Sequence, residues 1–441
     1  MPEWSQINSI EAHPTEAGGL YVAATRYKLD DFEPYLFKTT DYGKTWTKIT
    51  NGIDSKHFTR VIRSSTTREG LLFAGTENGL YVSFDDGKQW TSFQCNVPVV
   101  PITDLAVKDD DLIVATQGRS FWVLDDLSLL NQLTETAAKS EVHLFESRPV
   151  YRMSGSGSTR VGRTSGQNIL GGAPIRFFLK EKPEESVECS VTITDAADTV
   201  VKVWHTKPDK KAGKPEQTKL ELEDGLNEIR WNLRYPSAAT FPKMVLWGGG
   251  TQGPTAVPGT YTATLKVGDE EFTTEFEIQK DPRSQSSVED LQKQFDFLIV
   301  IRDKLSEVHK SIARTRDLKT QISTFKKRIA DDEEFEKLSE LADELVKALT
   351  EVEEALYQTK NRSPQDPLNY PIKLNNRLSA LVSVASTGDY APTAQSFEVR
   401  DMLIAEIDGL LDQQNEVVDN GIKKFNSAIR KAKVPAIWVE E

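Results

Sequence analysis

An octapeptide pattern occurs twice near the N-terminus and constrains the fold more than any other feature of the sequence. It reads TTDYGKTW at 39–46 and SFDDGKQW at 83–90, so that Asp41 and Asp85 occupy equivalent places 44 residues apart. A short β-type run ending in threonine precedes each copy, and a third such run at 111–116 leads into FWVLD at 121–125 without the glycine and tryptophan. Units of three or four short strands repeating every ~40–45 residues are typical of β-propeller blades.

The repeats predict only part of a propeller. A closed propeller contains at least about four blades, whereas residues 1–150 contain two complete units and a third that ends after its third strand. We therefore expect further blades of the same protein to lie upstream, and a strand from elsewhere to complete the third unit. The missing blades are the first partner that the sequence implies.

Each residue type of the repeated pattern has a structural role in a turn. An aspartate can accept hydrogen bonds from the backbone of its own turn, a glycine tolerates positive φ, and a tryptophan can fill the space between sheets. We accordingly interpret six residues as structural: Asp41, Gly43, Trp46, Asp85, Gly87 and Trp90.

The loops at the opposite end of the strands are the predicted ligand-binding rim. Successive hairpins of an antiparallel meander lie at alternate ends, and the connection from Thr25 to Asp41 spans 16 positions, against nine from Thr76 to Asp85. Long loops in compact domains are often functional. The candidate rim residues are Arg26, Tyr27, His57, Glu77, Asn78, Gln117 and Arg119, with Asp30, Asp31 and Glu33 as weak catalytic candidates.

The octapeptides resemble Asp-box (BNR) repeats. With GRSFWVLDD at 118–126, WNLRYP at 231–236 and PGTYTATL at 258–265, the chain resembles the C-terminal half of large bacterial sortilin-like BNR-repeat proteins, often labelled glycosyl hydrolases. The resemblance implies a secreted or periplasmic protein. The first four residues, MPEW, nevertheless have neither the basic start nor the apolar core of a signal peptide. An Asp box indicates a blade and not an activity.

Three further segments follow the predicted blades. Residues 151–172 are rich in Gly, Ser and Thr and include Arg160 and Arg163, which indicates a flexible connection. Alternating short strands in 173–280 predict an Ig-like β-sandwich, and heptad-like apolar spacing in 281–441 predicts an antiparallel helical bundle. The WGGG segment at 247–250 is either a binding loop or, as we favour, a loop that packs against a neighbouring domain.

Composition excludes several functional classes. The formal net charge of −13 argues against nucleic-acid binding, and no apolar stretch reaches the ~20 residues of a membrane span. Five scattered histidines lack metal-ligand spacing, so we expect neither a metal nor a cofactor.

Two functions remain after these exclusions. The favoured one is a carbohydrate- or protein-binding propeller scaffold with a glycan or peptide ligand. The alternative is a glycoside hydrolase of the Asp-box propeller type, which requires two carboxylates ~5–10 Å apart. Asp30, Asp31 and Glu33 supply carboxylates on the predicted rim, and Tyr27, Phe32 and Tyr35 supply surfaces for sugar stacking.

Overall fold

The computed structural model describes residues 1–153, 166, 169–209, 217–329 and 333–435. It divides into two compact units, one formed by Met1–Arg148 with Phe177–Glu181, the other by Pro149–Arg176 with Lys182–Glu441. Most of the predicted connection 151–172, including Arg160 and Arg163, lies outside the described residues.

Three antiparallel meanders form most of the first unit. The first sheet has the order β1-β2-β3-β4, the second β5-β6-β7-β8, and the third β11-β10-β9. The strands of the first two sheets are β1 Gln6–Ala12, β2 Leu20–Arg26, β3 Asp31–Thr39, β4 Thr47–Lys48, β5 Thr59–Ser64, β6 Leu72–Thr76, β7 Gly79–Ser83 and β8 Thr91–Ser92. Those of the third are β9 Ile102–Lys108, β10 Asp111–Thr116 and β11 Phe121–Leu124.

The second sheet is buried on both faces because the residues from Leu71 to Ala74, which include the start of β6, are all apolar. Leu72 and Ala74 belong to one buried cluster with Tyr21 of the first sheet. Leu71 and Phe73 belong to another with Leu112 of the third sheet. Alternate residues of a strand point to opposite faces, so one strand supplies two inter-sheet cores. Consecutive meanders packed face to face in this way fit a partial β-propeller.

Short elements complete the first unit. Two helical turns, α1 Ser128–Gln132 and α2 Glu135–Lys139, follow the third sheet. The strand β12 Val142–Leu144 then pairs antiparallel with residues 177–179.

A six-stranded sheet forms the first part of the second unit, in the order β13-β20-β19-β15-β16-β17. The four central strands are antiparallel, whereas β13 and β17 pair in parallel with their neighbours. The strands are β13 Val150–Arg152, β14 Ala173–Leu179, β15 Cys189–Thr194, β16 Val200–His205, β17 Gln217–Lys219, β18 Gly225–Trp231, β19 Gly259–Val267 and β20 Glu270–Lys280; β14 and β18 lie outside the six-stranded sheet.

Helices make up the remainder of the second unit. They are α3 Val288–Arg328, α4 Glu336–Leu356, α5 Leu374–Ala385, α6 Ala394–Glu416 and α7 Lys423–Lys431. The longest, α3, begins at a capping box in which Ser287 and Asp290 satisfy each other's backbone amides. Its apolar stripe, including Ile301, Leu305 and Ile312, is buried against α4, α5 and α6.

The WGGG segment packs against α5. The Trp247 amide donates to Asn376 Oδ1, and Asn376 Nδ2 donates to the Trp247 carbonyl, each over 2.7 Å. A Cβ at Gly249 would lie 2.0 Å from Ser379 Oγ, so only glycine permits this approach.

Candidate functional site

The two repeated octapeptides form turns with the same hydrogen bonds. Asp41 Oδ1 accepts from the amide of Thr45, and Asp85 Oδ1 accepts from the amide of Gln89, both over 2.9 Å. The hydroxyl that precedes each aspartate by two residues donates to the same carboxylate oxygen over 2.8 Å. All of these bonds stay within the turn, which supports a structural role.

The backbone of these turns explains the glycines. Gly43 and Gly87 have φ near +80°, in the left-handed region where a side chain is strained. The Asp41 carboxylate is ionised at neutral pH. Hydrogen bonds from the backbone and hydroxyl of Thr45 lower the pKa of Asp41 to about 2.

The two tryptophans of the pattern differ in burial. Trp90 is 1% exposed in the core between the first two sheets. Trp46 is only partly buried, beside Ala24, Tyr35 and Phe37 of its own sheet. The same motif position is thus an inter-sheet core residue in the second sheet and a half-exposed one in the first.

The enlarged loop of the first sheet is partly absorbed into longer strands. β3 has nine residues where the equivalent β7 has five, and a single 3₁₀ turn at Tyr27–Leu29 connects β2 to β3. Asp30 ends this turn in the left-handed conformation, with its side chain exposed.

Asp31 is held by three donors. Arg26 forms an ion pair with Oδ2 over 2.8 Å, the Tyr35 hydroxyl donates to the same oxygen over 2.8 Å, and the Glu33 amide donates to Oδ1 over 3.1 Å. Burial alone would raise the pKa of Asp31, but these hydrogen bonds and the Arg26 charge outweigh it and lower that pKa. Asp31 is therefore an ionised group that fixes the loop.

An aromatic surface lies beside this loop. Tyr27 stacks on Phe58 at 5.1 Å between ring centroids, and Phe32, which is 48% exposed, contacts Phe58 at 6.1 Å. The Arg60 guanidinium covers Phe58 at 5.2 Å and forms a 2.6 Å ion pair with Glu77. We call these five residues the rim patch.

The remaining predicted rim residues have separate local contacts. His57 Nδ1 lies 2.8 Å from the Tyr81 hydroxyl. Asn78 and Gln117 are exposed in the β6–β7 and β10–β11 turns. Arg119 is exposed, and its carbonyl accepts from the Trp122 indole over 2.9 Å. These contacts fix turns, and none of them joins a second candidate residue.

Sequence reasoning missed Phe58 and Arg60. Phe58 directly precedes β5, and Arg60 is the second residue of that strand. This start of β5 lies beside the β2–β3 loop, because the Thr59 side chain hydrogen-bonds to the backbone of Tyr35 and Ala24. Their closeness in sequence to the rim candidate His57 is the only feature of the sequence that could have indicated them. The packing of Tyr27 on Phe58 shows that these residues share a surface with the β2–β3 loop.

Neither Glu33 nor Asp31 has the surroundings of a general acid. Glu33 forms an exposed ion pair with Lys48 at 3.3 Å, and Asp31 has a lowered pKa, whereas a general acid needs a raised one.

In the described ranges, no three His, Cys, Asp or Glu side chains are grouped as potential metal ligands. None of the described helices combines the length and apolar character needed to cross a membrane.

Comparisons with known proteins identify no family. No family model matches the chain, and no curated protein matches it. Among solved structures, the chain is similar to YCF48 bound to D1 peptide, with 17% identity, a TM-score of 0.21, and coverage of 27% of this chain and 37% of that one.

Two longer matches involve bacterial proteins. The GH74 xyloglucanase from Xanthomonas campestris matches with 13% identity and a TM-score of 0.20 over 60% of this chain and 38% of that one. The extracellular domain of the putative hybrid two component system BT4673 from B. thetaiotaomicron matches with 10% identity and a TM-score of 0.18, over 62% and 36%. The chain thus spans well under half of each of these three proteins, and similarities this low support no functional argument.

Proposed function

We propose that the first unit is a ligand-binding propeller scaffold whose rim patch recognises a glycan or a peptide. One observation carries this proposal: the exposed ring of Phe32 and the partly buried ring of Tyr27 both contact Phe58, beside the Arg60–Glu77 ion pair. Aromatic faces contribute large contact area at low entropic cost, and the flanking charges orient polar groups of a ligand.

The wider organisation belongs to the same proposal. We place the propeller part at 1–150, the connection at 151–172, an Ig-like sandwich at 173–280 and a helical bundle at 281–441, in a secreted sortilin-like BNR-repeat protein. The apolar side chains that the first and third sheets expose support upstream blades of that protein as partners; they include Ile10, Phe121 and Val123.

A glycan and peptide array tests the binding function with the full chain. We expect Tyr27→Ala and Phe32→Ala each to weaken the array signal about two- to tenfold, given ~0.5–1.5 kcal/mol for each aromatic contact. Tyr42→Ala is the matched control, because Tyr42 is a 79% exposed tyrosine in the Asp-box turn at the other end of the strands. Equal signals from all variants would contradict the proposed site.

The alternative is a glycoside hydrolase that uses Asp30, Asp31 or Glu33. Release of reducing ends from array-positive glycans tests it, with Asp30→Asn and Glu33→Gln as the variants. Hydrolysis that both variants abolish would replace the binding function, whereas binding without release would exclude the alternative for those glycans.

A further inference from the structure

A cleft in the second unit combines four cationic side chains with two carboxylates. It is lined by α3, by α4, by the segment at 242–243 and by the segment at 357–362 that follows α4. All of its residues belong to the second unit. Its charged lining consists of Lys243, Arg316, Lys319, Glu353, Glu354 and Arg362. The lining therefore carries two more positive than negative charges.

The inner wall of this cleft is rigidly organised. Glu353, only 4% exposed, accepts from Arg316 Nε over 2.7 Å and from Lys319 Nζ over 3.1 Å. The Arg316 guanidinium also lies 4.7 Å from the ring centroid of Phe241 and 5.3 Å from that of Tyr357. Glu353 and the two rings thus fix the orientation of Arg316, which is the kind of preorganisation that favours ligand binding.

A buried acceptor without a donor lines the same cleft. Asn361 is 5% exposed, and its Oδ1 atom has no hydrogen-bond partner among the described residues. Buried amide oxygens are nearly always hydrogen-bonded, since leaving one unpaired is unfavourable. The Asn361 oxygen therefore calls for an O–H or N–H donor.

Two further cations are available for an anion. Lys243 and Arg362 are exposed, and among the described residues neither forms a direct ion pair. The charge of Arg362 also acts on the nearby Asp366 carboxylate. Arg362 uses one terminal nitrogen for a long, 3.4 Å hydrogen bond to the Thr359 carbonyl. A planar guanidinium is well matched to a carboxylate, which it can bind through two N–H groups.

We propose that this cleft binds a polyhydroxy monoanion with the chemistry of a uronic acid. The ligand carboxylate would be bound by Arg362 and Lys243, and a hydroxyl of the ligand would donate to Asn361 Oδ1. Glu353 and Glu354 can accept hydrogen bonds from ligand hydroxyls, which favours a carboxylate ligand that carries hydroxyl groups over a simple one. The site is independent of the rim patch and of its proposed role.

Titration of the full chain with small probes tests the ligand class. Saturation-transfer NMR and calorimetry with glucuronate, glucose, acetate and inorganic phosphate separate the contributions of the ligand's charge and hydroxyls to binding. An oligogalacturonate tests whether a uronic acid unit is recognised within a polymer. We expect glucuronate to bind about tenfold more tightly than glucose or acetate. Binding no tighter than either, or preference for phosphate, would overturn the proposal.

Matched variants test the site. We expect Lys243→Gln and Arg362→Gln each to weaken glucuronate binding about tenfold, with Lys347→Gln as control, because Lys347 is exposed on α4 outside the cleft lining. Asn361→Leu should weaken glucuronate binding and leave acetate binding unchanged. Normal glucuronate binding by Asn361→Leu would overturn the donor contact, and equal effects of the three charge variants would overturn the site. If Asn361→Leu does not fold, the exposed Arg362→Gln still decides the outcome.

Discussion

The indole Nε1 of Trp90 donates a hydrogen bond to the backbone carbonyl of Ile49 over 2.7 Å. Trp90 is the last residue of the second octapeptide, whereas Ile49 directly follows β4 of the first sheet. The bond therefore joins consecutive sheets, and the buried ring fills the space between them. The half-exposed Trp46 instead donates to Gly43 of its own turn over 3.0 Å.

This difference predicts unequal effects of the two tryptophans on stability. Trp90→Ala should lower the free energy of unfolding of the first unit by about 3–5 kcal/mol, because it opens a cavity between sheets. Trp46→Ala should cost less, and Trp90→Phe should cost about 1 kcal/mol for the lost hydrogen bond plus a small packing loss. Urea unfolding followed by tryptophan fluorescence and circular dichroism measures all three; equal losses for the two alanine variants would contradict this assignment.

The Asp41 turn should make stability depend on pH at acidic values. Its pKa of about 2 is below the ordinary aspartate value, so the folded state favours the ionised carboxylate. The stabilisation is complete above the unfolded pKa of about 3.9 and is lost as pH falls through about 2. Melting temperatures of the wild type and Asp41→Asn should therefore differ at pH 5 and converge near pH 2. Asp30→Asn, an exposed carboxylate outside the turn, serves as the control.

Adjacent aspartates of the β2–β3 loop should behave differently. Asp31→Ala removes the acceptor of Arg26, Tyr35 and the Glu33 amide, which should cost about 1–3 kcal/mol. Asp30→Ala removes an exposed side chain and should change stability by less than about 0.5 kcal/mol. Chemical denaturation measures the free energy of unfolding of both variants. If Asp31→Ala were as stable as the wild type, the three contacts would make no net contribution to stability.

Arg152 is a buried polar residue of the second unit to whose loss stability should be sensitive. It is 8% exposed, forms an ion pair with Asp389, and donates to the Ala256 carbonyl over 3.0 Å and to Gln294 Oε1 over 3.1 Å. Arg152→Leu leaves these groups unpaired and should lower the free energy of unfolding by about 3 kcal/mol. This is the lower end of the ~3–5 kcal/mol expected for breaking a buried ion pair, because Asp389 is one quarter exposed. Adding Asp389→Asn to Arg152→Leu should recover part of the loss, because it removes the carboxylate charge that Arg152→Leu leaves unpaired. A double-mutant cycle in urea would measure this recovery.

Local interactions explain which features could be predicted. The two octapeptide turns depend on hydrogen bonds that span four residues or fewer, such as Thr45 to Asp41. Strand alternation and the apolar spacing of α3 likewise reflect the geometry of a single element. For these reasons the three meanders, the strands of 173–280 and the helices beyond 281 follow from the order of residues alone.

Long-range contacts decide the rest. The sequence by itself determined the turns, the meanders and the helical segments, because their hydrogen bonds and periodicities are local. Only the tertiary structure decided that Trp90 is buried while Trp46 is half-exposed, that Phe58 and Arg60 join Tyr27 in one surface, and that β13 pairs in parallel with β20. Arg152 contacts residues 104, 142 and 237 positions away. Such partners depend on how whole elements pack, and no pattern within a single element specifies which distant side chain fills the neighbouring space.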